Sequence, residues 1–565
     1  MRPRGAEGGK MAHHGWVTVL DPATLTPDSL KSPFGRLFPA ADHTYDSLAL
    51  SLLGGALGPL QKPPASPSVG KPPNPAGFTF LGQFIDHDLT EFRVVSDGLA
   101  LIPQNPQIGQ RQRVLEDLRH PDRETPTTTN GRTGALDLDA VYGLLGTAQP
   151  DLFTEDGQFR IEADGDILRG DFFRERRLIA DPRNDENKLI VQVHLLFEKL
   201  HNKIHAAKTG SVDEKGPTGR MFLETKRAVQ VAYRRIVLHD YLPRIVAPKQ
   251  IDKVLRKLGR GKTAYQQMNQ RNAAILQRLA ISPAPAMPVE FSHAAFRLGH
   301  TQLRDGYLLR RGGPGAPLFD TTRTGVDLRG GSPLVQTAPA TPFDFRVHWD
   351  LFFTLPPVPG AAFQPPQPGE PIDGELPPSI FRLPPPSVGE PPIALAERNL
   401  RRGVDFGLPS GQQAAAALAE IYGYIRPTSR DELFPGTVFD NFKEVLVREP
   451  KLQWATPLWY YIIREAEQVT SAPHLGPVGG YIVAETILGA MVEGLVAPRD
   501  GGTPLSLTDA VILLQRERSP IAGEFAAAGV PPWDEIETGL RGYGRMPSGP
   551  DDIWSMSQLI AFIGS

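Results

Sequence analysis

Asp86, His87 and Asp88 stand in succession inside Phe78–Phe92, an otherwise apolar run. An imidazole changes charge near neutral pH, so His87 is suited to take up a proton and hand it back. Burying two carboxylates is expensive unless each meets a metal, a cation or a covalent bond. The apolar flanks therefore count against a plain surface turn, and Gln83 stands one helical turn before His87. A second chemistry is suggested by Glu198-Lys-Leu-His201 and Glu290-Phe-Ser-His293. Each is a Glu-x-x-His pair, and two of them make half of a di-iron carboxylate signature. With 13 histidines in the chain and glutamate at its usual frequency, about 0.7 such pairs arise by chance. Two are seen, few enough to arise by chance, so the di-iron reading is weak. His194 and His201 are read as packing or hydrogen-bonding residues.

These residues need helices to hold them. Leu189, Val193, Leu196, Phe197, Leu200 and Ile204 form one apolar stripe. The row His194, Glu198, His201 and His205 lies about 110° round from it. Phe222–Val246 has similar spacing, Ser410 is a plausible N-cap for a helix over Gln412–Ile421, and Trp459–Ile463 and Tyr481–Val496 add two apolar helices. Alternating strands are scarce, so the fold class is mainly α. An N-terminal arm, residues 1–34, is expected to precede one large domain over 35–565. Fourteen prolines between Pro356 and Pro392 exclude regular helix there and predict a polyproline-like surface loop or excursion.

The Phe78–Phe92 stretch resembles the animal-type haem peroxidases of the peroxidase–cyclooxygenase superfamily. Further motifs of that family follow in order. Thr133-Gly-Ala-Leu-Asp137-Leu-Asp139-Ala-Val-Tyr-Gly143 resembles its calcium loop, and Asp181-Pro-Arg183-Asn-Asp-Glu186 its distal arginine segment. Phe291–His300 resembles the proximal-histidine segment, Asn399–Pro409 the asparagine motif, and His474–Gly480 closes the series. The similarity runs over roughly residues 75 to 500 and implies a mainly α, single-domain haem peroxidase fold.

The resemblance implies roles. His300 would be the axial ligand of haem b, with Asn399 accepting a hydrogen bond from its other ring nitrogen and so strengthening it as a donor to iron. Arg297 would meet a haem propionate or support the proximal side. His87 would serve as general base and then general acid toward hydrogen peroxide, and Arg183 would supply positive charge where the O–O bond polarises. Gln83 would help hold a distal water or small anion. A ferryl haem would result and would oxidise a small organic reductant, a halide or a pseudohalide. Asp86 and Glu186 match the carboxylates that form haem esters in mammalian members. Asn187 stands where one of those has methionine, which rules out a sulfonium link there. Asp88, the Thr133 hydroxyl, the Ala135 carbonyl, Asp137 and Asp139 would hold Ca²⁺, a cation that takes six to eight oxygens. Serine is commoner at the position of Asp139, so either the site binds calcium more strongly or Asp139 turns to solvent. Arg297 stands three residues before His300, where the cyclooxygenase branch needs a radical-forming tyrosine; fatty-acid oxygenation of that kind is disfavoured.

Composition narrows the field. The chain has 565 residues, no cysteine, and 60 Lys+Arg against 63 Asp+Glu. Disulfides, zinc–thiolate sites, iron–sulfur clusters and thiolate-ligated haem are excluded, and the charge balance argues against a nucleic-acid scaffold. Mammalian relatives are disulfide-bonded, so this chain looks like a bacterial or otherwise simplified member. Neither a secretory signal nor a transmembrane segment is read; Gly479–Val496 carries Glu485 and Glu493 and is expected to be a buried helix. A soluble protein is expected, cytoplasmic or exported by a signal-less route. A rival reading is an adhesion or interaction protein that keeps the fold with little turnover, and the Pro-rich loop is a conceivable docking site for a partner.

Overall fold

The computed structural model describes residues 18–20, 33–62, 73–95, 128–143, 150–169, 179–278, 285–319, 326–337, 342–355, 364–383, 394–436, 442–469, 473–498, 503–515 and 549–564. The architecture is mainly α, with a few short strand pairs. The largest sheet is three-stranded: Thr18–Leu20 lies parallel to Phe92–Val95, which runs antiparallel to Thr128–Asn130. Phe34–Gly35 pairs with Met287–Pro288, so the expected end of the N-terminal arm falls within a strand. His13 and His14, expected to be solvent-exposed, lie outside the described residues.

Three helices build the centre. Gly77–Leu89 ends where Thr90 turns extended, its hydroxyl donating to the Asp86 carbonyl at 3.0 Å. Lys188–Ala206 starts at Asn187, whose side chain accepts the N–H groups of Leu189 and Ile190, the ordinary way to satisfy a first turn. The rings of Phe84 and Phe197 stack 5.0 Å apart across these two helices, and Tyr233 of Arg220–Ile236 meets both edge-on. The expected apolar stripe faces this core, but so does the polar row: His194, His201 and His205 are fully buried. Residues 188–198 of this helix are buried on every side, so its histidines must find their partners inside the protein. His201 bonds the Tyr142 hydroxyl and the Gly157 carbonyl, and His205 bonds Thr225 and the Asp156 carbonyl.

The expected helix over Phe222–Val246 is interrupted. After Ile236 the chain makes a π-helical turn, Val237–Tyr241, before Leu242–Ile245. Pro243 brings no N–H to an α ladder at this point, and the wider turn delivers Tyr241 to the cavity described below. The Ser410 cap is found, reciprocated by Gln413 in a capping box on Gly411–Tyr422.

Pro477–Val496 is the one described helix long and apolar enough to cross a bilayer, yet 83% of its apolar window is buried within the protein. Its first N–H groups, Val478 and Gly479, are received by the Glu465 carboxylate of Leu458–Glu467. Of the Pro-rich stretch, residues 364–383 are strapped to the body through bridges Gln61–Leu376 and Pro75–Pro368, with Ile372, Leu376 and Ile380 buried. This portion is an ordered, packed loop and not an excursion.

Candidate active site and metal loop

A cavity of about 1260 Å³, including solvent at its mouth, separates the Gly77–Leu89 helix from the Ala295–His300 turn. Gln83, Asp86 and His87 line it from one element, Arg183 and Glu186 from the next, and Arg297 and His300 from the last. The two histidines singled out in the sequence therefore share one cavity.

On the first side, His87 is 5% exposed and its Nδ1 lies 2.9 Å from Asn184 Oδ1. Its Nε2 is 3.9 Å from the Glu186 carboxylate. Arg183 is held firmly: its guanidinium pairs with Asp181 at 2.6 Å and Nη2 donates to the His87 carbonyl at 2.9 Å. Burial works against the charge of Asp181, but Arg132 and Arg183 hold its carboxyl well below the usual range. Gln83 is more constrained than expected, because its amide nitrogen donates to Glu186 and its oxygen accepts from Asn187 at 3.2 Å. Asp86 accepts the Thr90 hydroxyl at 3.0 Å.

On the opposite side, Ala294 breaks the Val289–His293 helix with φ −135° and ψ −72°, and a 3₁₀ turn carries Arg297 and His300 to the cavity. Arg297 Nε donates to the Ser292 carbonyl at 2.8 Å. Asn399, on Leu395–Asp405, sits 2.9 Å from His300 Nδ1, with its amide nitrogen as the nearer atom. Accepting a proton from Nδ1, the role expected of it, requires the amide turned by 180°, which exchanges atoms of nearly equal size.

The expected calcium ligands also converge. Carboxylate oxygens of Asp88, Asp137 and Asp139 all lie within 4.8 Å of one another. Burial, then Asp139 and Asp137, push the Asp88 carboxyl well above its ordinary value, and burial foremost pushes Asp139 up to about 7. Three acids repelling one another in a buried loop fit a bound divalent cation. Asp139 turns inward: its Oδ2 accepts the Thr133 N–H at 2.9 Å, and its Oδ1 meets Arg132 only at 3.6 Å, accepting no hydrogen bond among the described residues. The Thr133 hydroxyl donates to Asp137 at 2.9 Å, and the Ala135 N–H donates back to that hydroxyl at 3.3 Å. Leu138 adopts φ +58°, a left-handed conformation strained for leucine. From it Leu138 and Ala140 aim their N–H groups at Asp88. Arg132 joins the loop to the cavity through Asp181 at 2.7 Å, which in turn holds Arg183.

The two Glu-x-x-His pairs do not meet as metal ligands. Glu290 accepts the N–H groups of Leu37 and Phe38, and His293 bonds Ser292 while packing on Phe406 at 3.7 Å between ring centres. The three aspartates are the one potential metal cluster among the described residues.

Three residues here had no assigned role in the sequence reading. Arg402 lines the cavity, and burial, then Arg297 and Arg398, hold its guanidinium well below its ordinary value. Its position one turn after Asn399 was the available signal. Cations crowded at a cavity wall fit an anionic group such as a propionate. Tyr241 also lines the cavity, and burial followed by Asp86 raises its hydroxyl. Asn184 gave no signal beyond its place inside the Asp181–Glu186 motif.

Residues 75–324 match the family described as animal haem peroxidase. Peroxidase A from Dictyostelium discoideum is 14% identical, with a TM-score of 0.50 over 86% of this chain and 91% of that one. Fatty acid alpha-dioxygenase from Arabidopsis thaliana is 14% identical, with a TM-score of 0.51 over 93% of this chain and 81% of that one. At such identity these likenesses show the fold. No curated protein matches the chain.

Proposed function

We propose that the chain, whose residues 75–324 match the animal haem peroxidase family, binds haem b between His300 and His87 and is a hydrogen-peroxide-dependent oxidoreductase acting on small organic reductants, halide or pseudohalide. The observation that carries this reading is that these two imidazoles, from elements more than two hundred residues apart, face one cavity. Bound haem would supply the redox chemistry, taking two oxidising equivalents from peroxide and passing them to the reductant. The protein's own groups do the rest. His300 offers a ring nitrogen to the metal, with Asn399 against the other nitrogen. Arg402 and Arg297 would receive the propionates. His87, with its Nδ1 proton directed to Asn184, keeps a lone pair on Nε2 that takes the peroxide proton and returns it to the leaving oxygen. Arg183, fixed by Asp181, adds positive charge beside it. Asp88, Asp137 and Asp139, with Thr133 and the Ala135 carbonyl, would hold calcium and so brace the adjoining His87. Asp86 and Glu186 are the candidates for ester links to the haem edge. The dioxygenase likeness carries the fold alone, and Arg297 occupies the position where tyrosine-radical oxygenation of the cyclooxygenase kind needs a tyrosine.

The purified protein is expected to show a Soret band and to oxidise a dye such as guaiacol only when peroxide is added. His87→Ala should abolish turnover and keep the Soret band; activity surviving that change would refute the role of His87. Acid denaturation followed by mass spectrometry decides the esters: porphyrin staying with the polypeptide is expected if Asp86 or Glu186 has reacted.

A further inference from the structure

We propose that Asn184, His194 and Glu198 form a buried hydrogen-bond relay that positions His87, holding its ring with the proton on Nδ1 and none on Nε2. The geometry is a continuous chain. His87 Nδ1 is 2.9 Å from Asn184 Oδ1, Asn184 Nδ2 is 3.1 Å from His194 Nδ1, and His194 Nε2 is 2.9 Å from Glu198 Oε1. Every member is nearly or wholly removed from solvent; Glu198, the most exposed apart from His87, is only 4% accessible.

Only one polarity of this chain is possible, because two of its contacts are to groups that can only accept. Asn184 Nδ2 also faces the Ala140 carbonyl at 3.4 Å. A carbonyl cannot donate, so the amide must present nitrogen there and oxygen to His87. His87 then has to donate from Nδ1, which leaves Nε2 as the acceptor on the cavity side. The second amide hydrogen goes to His194 Nδ1, which must be unprotonated. His194 therefore carries its proton on Nε2, where the Glu198 carboxylate receives it. Glu198 Oε2 has no hydrogen-bond partner among the described residues, so the contact of Oε1 with His194 is the one that fixes this side chain. Phe84 packs edge-on against the His194 ring at 6.4 Å and closes the relay from the core side. None of Asn184, His194 or Glu198 lines the cavity. They are positioning residues acting through His87. A histidine in the other tautomer would present N–H to the peroxide and could not take its proton.

The inference rests on the peroxidase reading for its consequence but not for its geometry, and two measurements separate them. In full-length protein labelled with ¹⁵N-histidine, two-bond proton–nitrogen correlations report each tautomer with or without haem. His87, assigned by its loss in His87→Gln, is expected as the Nδ1–H form and His194, assigned likewise, as the Nε2–H form. Finding His87 as Nε2–H overturns the relay even if the haem reading stands, while a protein lacking a Soret band overturns the haem reading even if the tautomers are as expected. The second measurement is the rate of cyanide association with ferric haem, which needs a base to take the proton of hydrogen cyanide. Glu198→Leu, which removes the last acceptor, should slow it roughly 10- to 100-fold, by analogy with the loss of an outer hydrogen-bond partner of a metal-bound histidine. The Soret maximum and the KM for the reductant should stay unchanged. Glu198→Gln keeps an acceptor oxygen and should recover most of the rate. A wild-type rate in Glu198→Leu, or equal slowing in both variants, overturns the proposal.

Discussion

Residue 402 shows how a cavity wall can carry positive charge that an anionic ligand would relieve. Arg402 stands near Arg297 and Arg398 in a half-buried wall, and burial, then those two charges, hold its guanidinium well below its ordinary value. A charge-assisted hydrogen bond from such a group to a propionate contributes about 1.5–3 kcal/mol. Arg402→Leu should therefore weaken haem binding roughly 10- to 100-fold in a spectrophotometric titration. The haem-free protein should unfold at an unchanged or higher temperature, because one of three like charges has gone. A variant that binds haem normally would show that Arg402 faces no anion. Residue types carried much of this site in the sequence: His87, His300, Arg183 and the three aspartates all come together. Their hydrogen bonds were not legible, because direction is set by partners far away in the chain. Asn187 and Glu186 occupy both ends of Gln83, and Ala140 decides which way Asn184 points.

Periodicity located the helices because each buries an apolar face, and it overlooked what happens when a helix is buried on all sides. His194 and His201, read as packing or hydrogen-bonding residues off the apolar stripe, are fully buried together with His205. The π turn at Val237–Tyr241 was equally illegible, since an extra residue per turn does not change which residues are apolar. It matters because a Cβ on Gly82 would lie 2.4 Å from the Tyr241 hydroxyl. Gly82→Ala should cost about 1–3 kcal/mol by overpacking, and should also shift the Soret band as Tyr241 moves. An unperturbed spectrum with wild-type stability would show that the helix and the π turn are not in register-fixing contact.

Helix pairing also carries a pH dependence. Glu485 of the Pro477–Val496 helix accepts the Tyr422 hydroxyl at 2.6 Å and the Tyr265 N–H at 2.8 Å, and burial raises its carboxyl to about 7. Unfolded, it titrates near 4.3. Folding thus takes up a proton between those values, so the contribution is full below about pH 4 and is lost as pH rises through 7. Glu485→Gln forfeits one accepted hydrogen bond but has no charge to bury. Its stability deficit in urea melts should be largest at pH 5 and should narrow by pH 8. A deficit that widens over that interval would mean that the carboxylate is stabilised by being ionised.

At the scale of the whole molecule, the loop holding Asp88, Asp137 and Asp139 tests whether residues 35–565 unfold as one unit. Calcium that binds only the folded chain at one hundred times its dissociation constant adds about 2.7 kcal/mol. The unfolding entropy of a 565-residue chain, at about 2.1 cal/mol/K per residue, is close to 1.2 kcal/mol/K if every residue melts together. The thermal midpoint should then rise by only about 2 °C with calcium, and fall by the same amount with a chelator. A much larger rise, confined to a first step of a two-step melt, would mean that the loop and the helix bearing His87 form a smaller cooperative unit. Asp139→Ser supplies the control: with one acid of three removed, calcium binding should weaken and the calcium-dependent rise should shrink. The haem-free, calcium-free protein should lose little, because the repulsion that pushes up Asp88 is relieved as the Arg132 contact is lost. Cooperativity between the metal loop and the cavity wall has a physical basis in the Arg183–Asp181–Arg132–Asp139 series of ion pairs, which links the two.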